Sequence, residues 1–573
     1  MKPKILAQLD ERPRIAVLPD GEIWGIHVSG DAGIQEVRVR SSVDGGITWA
    51  EPEALFALPE SVSPEEVAAP PLRPGGEAVG GSAPAGEMDD SSDDDPIGRW
   101  GGCEALVDAE EEVHLFLMND RGTGVFRRPD SGEVRKSLGI HQRRLDIWHA
   151  RTEGGRQRWR APRRIWKGYT GSINSVIQTS RGRIILSFAF LVHRTWRDRG
   201  EGLDAFSFMG VSSSTVVYSD DGGDSWHRSP SALKVQTPSI GTYGAVEPVS
   251  LELQDGRVWM LARTQVGRLY ESFSEDGENW SPLRPTRLLS SDSPVGLVRL
   301  PDGRIVLLWN KCQRFPYAHG GRHVLHAAVS EDEGKTWIGQ REVARDPLRE
   351  EPPPPGGDHG TAYPYPAVLA DGRVLVTTGQ GEGRVVVMAI DPEWLYEKRQ
   401  ETDFSQGMEG WESFGCHGVE LKAGADGKVL SVMKVDEERP ATAVWNFPSG
   451  SSGRLAMRLC LEEGSDGASV LLSDHFSVPF DPEDALYALF RLEMGAGGEM
   501  VGGGRLNPGE WHELELRWDC GRRDCRVVVD GEQMGTLPLL RESEGVCYLR
   551  LKSASEGVES GGLLIDRVEV EVE

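Results

Sequence analysis

Apolar residues along this chain come in short runs closed by turn residues, and helical periodicity is nearly absent. Runs of this kind, rich in Val, Ile, Leu and Trp and bounded by Gly, Pro and Asp, read as β-strands. Two kinds of turn alternate between them. The first joins two apolar runs and appears as Leu18-Pro19-Asp20-Gly21, Leu106-Val107-Asp108-Ala109, Gln178-Thr179-Ser180-Arg181-Gly182-Arg183, Leu253-Gln254-Asp255-Gly256-Arg257, Leu300-Pro301-Asp302-Gly303-Arg304 and Leu369-Ala370-Asp371-Gly372-Arg373. The second follows the pattern Ser-x-Asp-x-Gly-x-x-Trp. It is complete at Ser42–Trp49, Ser219–Trp226 and Ser330–Trp337, one residue shorter at Ser274–Trp280, and reduced to a Gly-rich turn and its Trp at Thr152–Trp159. In such a turn Asp accepts hydrogen bonds from nearby backbone N–H groups, Gly supplies a positive φ, and Trp covers the hairpin.

Two hairpin turns per unit imply four strands, the size of one propeller blade. Six copies of the first turn imply six blades over residues 1–395. The sixth unit lacks its Trp turn, so the segment around Lys4–Leu9 is expected to supply the missing outer strand and close the ring. Residues 59–99 interrupt the pattern. They are rich in Pro, Gly, Ser and Glu, carry the run Asp89-Asp90-Ser91-Ser92-Asp93-Asp94-Asp95, and read as a mobile acidic loop. Near Asp391–Lys398 the composition shifts toward a short helix or linker, and residues 396–402 read as the linker. From 403 to 573 the pattern becomes one of alternating half-buried strands, such as Trp511-His512-Glu513-Leu514-Glu515-Leu516-Arg517-Trp518, which fits a β-sandwich of jelly-roll type. The expected class is therefore all-β, a six-bladed propeller followed by a sandwich.

Charge narrows the range of functions. Lys and Arg number 63 against 90 Asp and Glu, a net charge of −27, which argues against non-specific binding to nucleic acid or anionic membranes. A small anionic ligand stays open, because a few clustered arginines set a local field of their own. The 7 cysteines are scattered, and Cys520 with Cys525 has no second pair to complete a zinc site, so reduced thiols and no metal are expected. The start of the chain has lysines but no apolar core of a secretion signal, and no apolar stretch is long enough to span a bilayer. A cytoplasmic location is the expectation from these features.

The Ser-x-Asp-x-Gly-x-x-Trp turns resemble the Asp-boxes, or BNR repeats, of the sialidase (neuraminidase) superfamily, whose fold is a six-bladed propeller. Asp-boxes lie on the outer rim in that family, so they speak for fold rather than activity. The family pocket holds three arginines, an acid/base Asp and a Tyr paired with a Glu, and each has a counterpart in this chain. Arg14 in Pro13-Arg14-Ile15-Ala16 resembles the first arginine, with Ala16 where the family has proline. Asp31 resembles the acid/base, Glu247 in Ala245-Val246-Glu247-Pro248 the glutamate, Arg263 the second arginine, and Arg322 the third. Tyr363 resembles the nucleophile, followed by Pro364 instead of a small polar residue. The family often holds its first arginine with a glutamate after the last hairpin; here either Glu382 serves in a shifted register or that support is missing. Tyr169, Asn174, His193, Arg194 and Trp196 are candidates for a sugar subsite at the third blade.

The chemistry implied by the resemblance is coherent. A sialic acid carries a carboxylate on its anomeric carbon, and guanidinium groups clamp it while keeping their charge. A carboxylate nucleophile would be repelled there, whereas a neutral tyrosine is not. The expected activity is exo-acting, retaining hydrolysis of a terminal sialic acid or related 2-keto acidic sugar, without a cofactor. Two alternatives stand beside it: a glycosidase or lyase for another acidic sugar, for which His149 or His359 would be the base, and a glycan-binding propeller without catalysis. The C-terminal pattern resembles concanavalin-like or laminin-G-like sandwiches, as a structural, dimerising or glycan-binding module.

Overall fold

A computed structural model of the protein describes residues 2–30, 34–60, 97–120, 125–127, 134–136, 145–193, 210–236, 244–312, 321–351, 359–425 and 427–573. Six four-stranded sheets follow one another along residues 4–390. The first comprises Arg14–Val17, Ile23–Ser29, Glu36–Ser42 and Glu53–Ala57; the second, Arg99–Val107, Val113–Asp120, Leu145–Arg151 and Arg163–Trp166; the third, Ser175–Gln178, Ile184–His193, Gly210–Ser219 and His227–Arg228. The fourth runs through Val246–Glu252, Val258–Arg263, Arg268–Ser274 and Arg284–Leu289, and the fifth through Gly296–Arg299, Ile305–Trp309, Val324–Ser330 and Ile338–Arg345. In the sixth, Tyr365–Val368, Val374–Thr378 and Val385–Ile390 are joined by the N-terminal strand Lys4–Leu9, which pairs antiparallel with Val385–Ile390. The innermost strands of successive sheets touch in turn, and the sixth returns to the first. This is a six-bladed β-propeller, closed by the N-terminal strand as the missing Trp turn implies. Most of the acidic stretch 59–99 lies outside the described residues.

The two turn families occupy the places their chemistry dictates. The Asp20, Asp108, Asp255, Asp302 and Asp371 turns join the first and second strands of their blades, with Gly21, Gly256, Gly303 and Gly372 at positive φ. The Asp-boxes join the third and fourth strands. At Asp44, Oδ1 accepts from Ile47 N at 3.0 Å and Thr48 N at 2.9 Å, while Ser42 Oγ accepts from Gly46 N at 3.0 Å. Asp221 repeats the arrangement with Ser225 N at 2.8 Å and Ser219 Oγ at 2.8 Å.

By contact density the chain forms two compact units. One takes in residues 3–309 and 361–390; the other holds 310–360 together with 391–573. The first contains the closed ring of inner strands. Its core lies in layers between blades, such as Trp24, Val37, Trp100 and Leu115, or Phe116, Ile147, Phe188 and Trp226.

In the second unit, two sheets face each other over one core. The larger includes Ser452–Leu461, Trp511–Asp519, Asp524–Val529 and Leu563–Val572; the smaller includes Thr442–Gly450, Gly467–Ser473 and Val546–Ser553. Leu455, Leu516 and Val527 from one meet Trp445, Val470 and Leu549 from the other, which makes a β-sandwich. Residues 392–396 form a single 3-10 turn capped by Asp391, and Arg399–Thr402, within the segment expected to be a linker, is a strand paired with Leu563–Val572.

The same unit draws Ile338–Arg345 against Thr442–Gly450 through a chain of polar contacts. Lys311 N donates to His326 Nδ1 at 3.1 Å, so the His326 proton sits on Nε2 and is given to Tyr548 OH at 2.6 Å. Tyr548 in turn donates to Glu342 Oε1 at 2.7 Å, and Glu342 N donates to Asn446 Oδ1 at 2.9 Å. Burial, together with the charge of Glu342, pushes the Tyr548 phenol well above its usual pKa and keeps it a donor.

The Asp-boxes make a pH prediction. Asp44 is held down at about 2 chiefly by Thr48, and Asp221 is held at about 2 by Ser225 and Ser219 against slight burial. An unfolded aspartate titrates at about 3.9. A lowered folded pKa contributes stability above that value, and the contribution is lost as pH falls toward about 2. Asp221→Ala is expected to cost about 1 kcal/mol at pH 7, as loss of a capping carboxylate does. Denaturant titrations at pH 7 and below pH 3 should show that difference shrinking toward zero at the acid end.

Candidate active site

The chemistry-bearing residues gather at one end of the inner strands. Glu247 is the second residue of Val246–Glu252, where pairing with the next strand slips between Val246 and Val249. Pro248 has no N–H for the ladder, so a bulge at this point costs little. Glu247 takes φ 46°, and Tyr363, just ahead of the strand Tyr365–Val368, takes φ 60°. Non-glycine residues in this region carry backbone strain that their surroundings must hold, and such strain concentrates at functional sites. The tyrosine loop is held by Thr378 Oγ1, which donates to Thr361 O at 2.6 Å, and by Gly379 N, which donates to Ala362 O at 3.1 Å.

These two strained residues meet. Tyr363 OH donates to Glu247 Oε1 at 2.7 Å. Arg263 ends the strand that pairs with Val246, so it arrives beside them: its Nη1 donates to Glu247 Oε2 at 2.5 Å and lies 3.4 Å from Tyr363 OH. Its Nε donates to Asp292 Oδ1 at 2.6 Å, and Gln265 Nε2 donates to Asp292 Oδ2 at 3.0 Å. Tyr363, Glu247, Arg263 and Asp292 are all buried. Burial alone would lower the Arg263 pKa; the adjoining Glu247 and Asp292 more than reverse this and raise it well above its usual value.

The first-blade arginine sits beside this group in a pocket of its own. Arg14 Nη2 donates to Ile173 O at 3.3 Å, its Nε lies 3.3 Å from Glu104 Oε2, and its guanidinium carbon is 3.1 Å from the centre of the Tyr365 ring. Burial pushes the Glu104 carboxyl up, against the pull of Arg14. Tyr365 OH donates to Asn174 Oδ1 at 2.9 Å, while Asn174 Nδ2 has no hydrogen-bond partner among the described residues. Arg12, two residues ahead of the strand that begins at Arg14, lies with its guanidinium carbon 4.6 Å from the centre of the Tyr363 ring and 5.4 Å from that of Tyr365, and its Nη1 donates to Gly379 O at 3.3 Å. A cavity of about 380 Å³ opens in this unit, and its wall includes Glu11, Gly30, Arg99, Trp100 and Asp120. Glu11 and Gly30 are the chain neighbours of Arg12 and Asp31.

Of the residues expected from sequence, Arg14, Arg263, Glu247, Tyr363 and Asn174 come together. Arg322 is buried in the second unit just ahead of Val324–Ser330, with Gly360 against its backbone. Tyr169 precedes the inner strand of the third blade, where its carbonyl accepts from Leu191 N at 3.0 Å. Asp31, Arg194 and Trp196 lie outside the described residues, and His193 is placed only as the end of its strand. Glu382 is exposed, and the carboxylate that meets Arg14 is Glu104 from the second blade. His149, the base considered for a lyase, is buried against His114 at 3.0 Å, which reaches Asp108 at 3.0 Å near the opposite end of the strands. His359 lies against His323 in the second unit, with ring centres 6.1 Å apart and the rings tilted by 56°.

Sequence reasoning missed Arg12, Glu104, Asp292 and Tyr365 as partners in the cluster. Arg12 carried the only readable signal, as a second arginine two residues ahead of Arg14.

Six blades, Asp-boxes on the outer hairpins and a buried Tyr–Glu–Arg group at the inner strand ends define a BNR-type propeller. Residues 93–376 match the family model described as BNR repeat-like domain, so this stretch of the propeller carries a BNR repeat-like domain. Among solved structures the chain is similar to the sialidase of Trypanosoma rangeli, at 12% identity over 99% of this chain and 92% of that one, with a TM-score of 0.39. It is also similar to a protein of unknown function from Dyadobacter fermentans, at 16% identity over 68% of this chain and 97% of that one, with a TM-score of 0.42. No curated protein matches the chain.

The charge arrangement has a stability consequence. Arg263→Ala leaves Glu247 and Asp292 buried without their shared cation, a loss expected to cost about 3–5 kcal/mol. Urea denaturation should show it as a lower midpoint at an unchanged slope, with Arg263→Lys falling between the variant and the wild type.

Proposed function

We propose that the protein is a retaining glycoside hydrolase of sialidase type, exo-acting on a terminal sialic acid or a related 2-keto acidic sugar. The observation that carries this reading is the 2.7 Å hydrogen bond from buried Tyr363 to Glu247, with Arg263 against both. A phenol with an ordinary pKa of about 10 is a poor nucleophile until a base takes its proton. Glu247 is positioned for that role. As the Tyr363 oxygen attacks the anomeric carbon, its proton passes to Glu247 and the bond to the leaving oxygen breaks. Asp31, assigned by resemblance, gives that oxygen a proton and then activates the water that releases the sugar from Tyr363. Two displacements at one carbon return the original configuration.

The surroundings suit an anionic sugar. Guanidinium groups favour a carboxylate on the reacting carbon, and the resemblance assigns Arg322 to it together with Arg14 and Arg263. Asn174 Nδ2, beside Tyr365, is a donor with no partner among the described residues. The polar cavity lined by Glu11, Arg99 and Asp120 adjoins Gly30, next to Asp31 in the chain, and suits the leaving group.

A fluorogenic sialoside tests the proposal. The wild-type protein should hydrolyse it, and proton NMR of the earliest product should show the anomer of the substrate. Tyr363→Phe should fall to near background, and Glu247→Gln should lose about 10²–10⁴-fold in kcat. Full activity in Tyr363→Phe, or an inverted first product, would remove the tyrosine from its role. A wild-type protein inert toward every 2-keto acidic glycoside would overturn the assignment.

A further inference from the structure

The cations at the site are not equivalent. Arg263 is shared between Glu247 and Asp292, and Arg14 is set against Glu104 and under the ring of Tyr365. Each already faces a carboxylate before any substrate arrives. Arg12 differs. It is half-buried rather than buried, it has no carboxylate partner among the described residues, and its one hydrogen bond goes to a backbone carbonyl, Gly379 O. A guanidinium has five N–H donors, so most of the donors of Arg12 have no partner among the described residues.

Its position is as informative as its charge. The guanidinium carbon stands 4.6 Å from the centre of the Tyr363 ring. In a 2-keto acidic sugar the carboxylate is bonded to the very carbon the nucleophile attacks, so the group that receives the carboxylate must stand next to the nucleophile. Arg12 does. The stacking on Tyr363 and Tyr365 also fixes the planar group in place without using its donors, since cation–π attraction acts through the ring face. An arginine held in this way loses little freedom when it binds a planar anion bidentately.

We propose that Arg12, an arginine outside the trio assigned by resemblance, is the residue that recognises the substrate carboxylate, and that Arg14 is a positioning residue that holds Tyr365 and Asn174. This rests on the reading of the site as one for a 2-keto acidic sugar. Arg14, set against Glu104 and the Tyr365 ring, orders the floor of the site; Arg12, which makes no ion pair among the described residues, sets the preference for an anion.

The test compares N-acetylneuraminic acid with its methyl ester, which keeps every other group and removes the charge. Calorimetric titration of the wild type should show the acid binding at least tenfold more tightly. Arg12→Gln should bind acid and ester alike, and Arg12→Lys should keep a reduced preference for the acid. Arg14→Gln should keep the preference, even where its melting temperature falls. Melting curves of Arg12→Gln identify any loss that comes from unfolding, and Arg12→Lys then carries the comparison. A preference for the acid that survives in Arg12→Gln, or that vanishes in Arg14→Gln alone, overturns the proposal. So does a wild type that binds acid and ester equally, whatever its turnover. Failure of the hydrolase reading is seen separately: acid-selective binding that depends on Arg12 without hydrolysis of any sialoside leaves the carboxylate site standing and removes the enzyme.

Discussion

The pairing of Lys4–Leu9 with Val385–Ile390 ties the start of the chain to the end of the sixth blade, and the position of the site residues depends on it. Arg12 and Arg14 follow that strand directly; Tyr363 and Tyr365 belong to the blade it completes. Without the closure the first and sixth blades would be sheet edges free to part, and the cation–π contacts that bring Arg12 and Arg14 onto the two tyrosines would have no fixed geometry. The cost of assembling the cluster is thus carried by a ladder of ordinary backbone hydrogen bonds. The site adds only what a closed ring makes inexpensive: side chains from the first, second, third, fourth and sixth blades meeting over short distances.

Charge at the centre of the ring is arranged in pairs before it is arranged for chemistry. Arg263 meets Glu247 and Asp292; Arg14 meets Glu104. In so buried a place an unpaired ion is costly, and Arg263 and Arg14 each face a carboxylate from elsewhere in the chain. The exception is Arg12, which keeps some exposure and rests on aromatic faces and a carbonyl. That division separates groups that hold the architecture from a group left with unspent charge, although all are arginines.

The fold was largely legible in the sequence because its signals are local. An Asp-box is complete within eight residues, and the bonds of Asp44 to Ile47 and Thr48 never leave the turn. The number of blades and the part played by Lys4–Leu9 followed from counting such turns. The Tyr363–Glu247–Arg263 group was legible only through resemblance, since nothing near Glu247 in the chain announces a partner more than a hundred residues away. The partners of the arginines were not legible at all. Glu104 looks like any acidic residue in a strand, and the choice between it and Glu382 depends on how deep each sits between blades. Asp292 lies in a run of serines that reads as a plain loop. The strand at Arg399–Thr402 was hidden for the same reason: its partner, Leu563–Val572, is at the other end of the sandwich sequence.

The positive φ values of Glu247 and Tyr363 set ease of the backbone against the side chains that the proposed chemistry requires. At either position glycine would relax the backbone, because it alone enters that region freely. Folding alone would favour glycine at both positions, whereas the proposed proton transfer from Tyr363 to Glu247 needs both side chains side by side. Under the proposed chemistry, variants recovered from a screen for heat resistance would then be a poor guide to better catalysts.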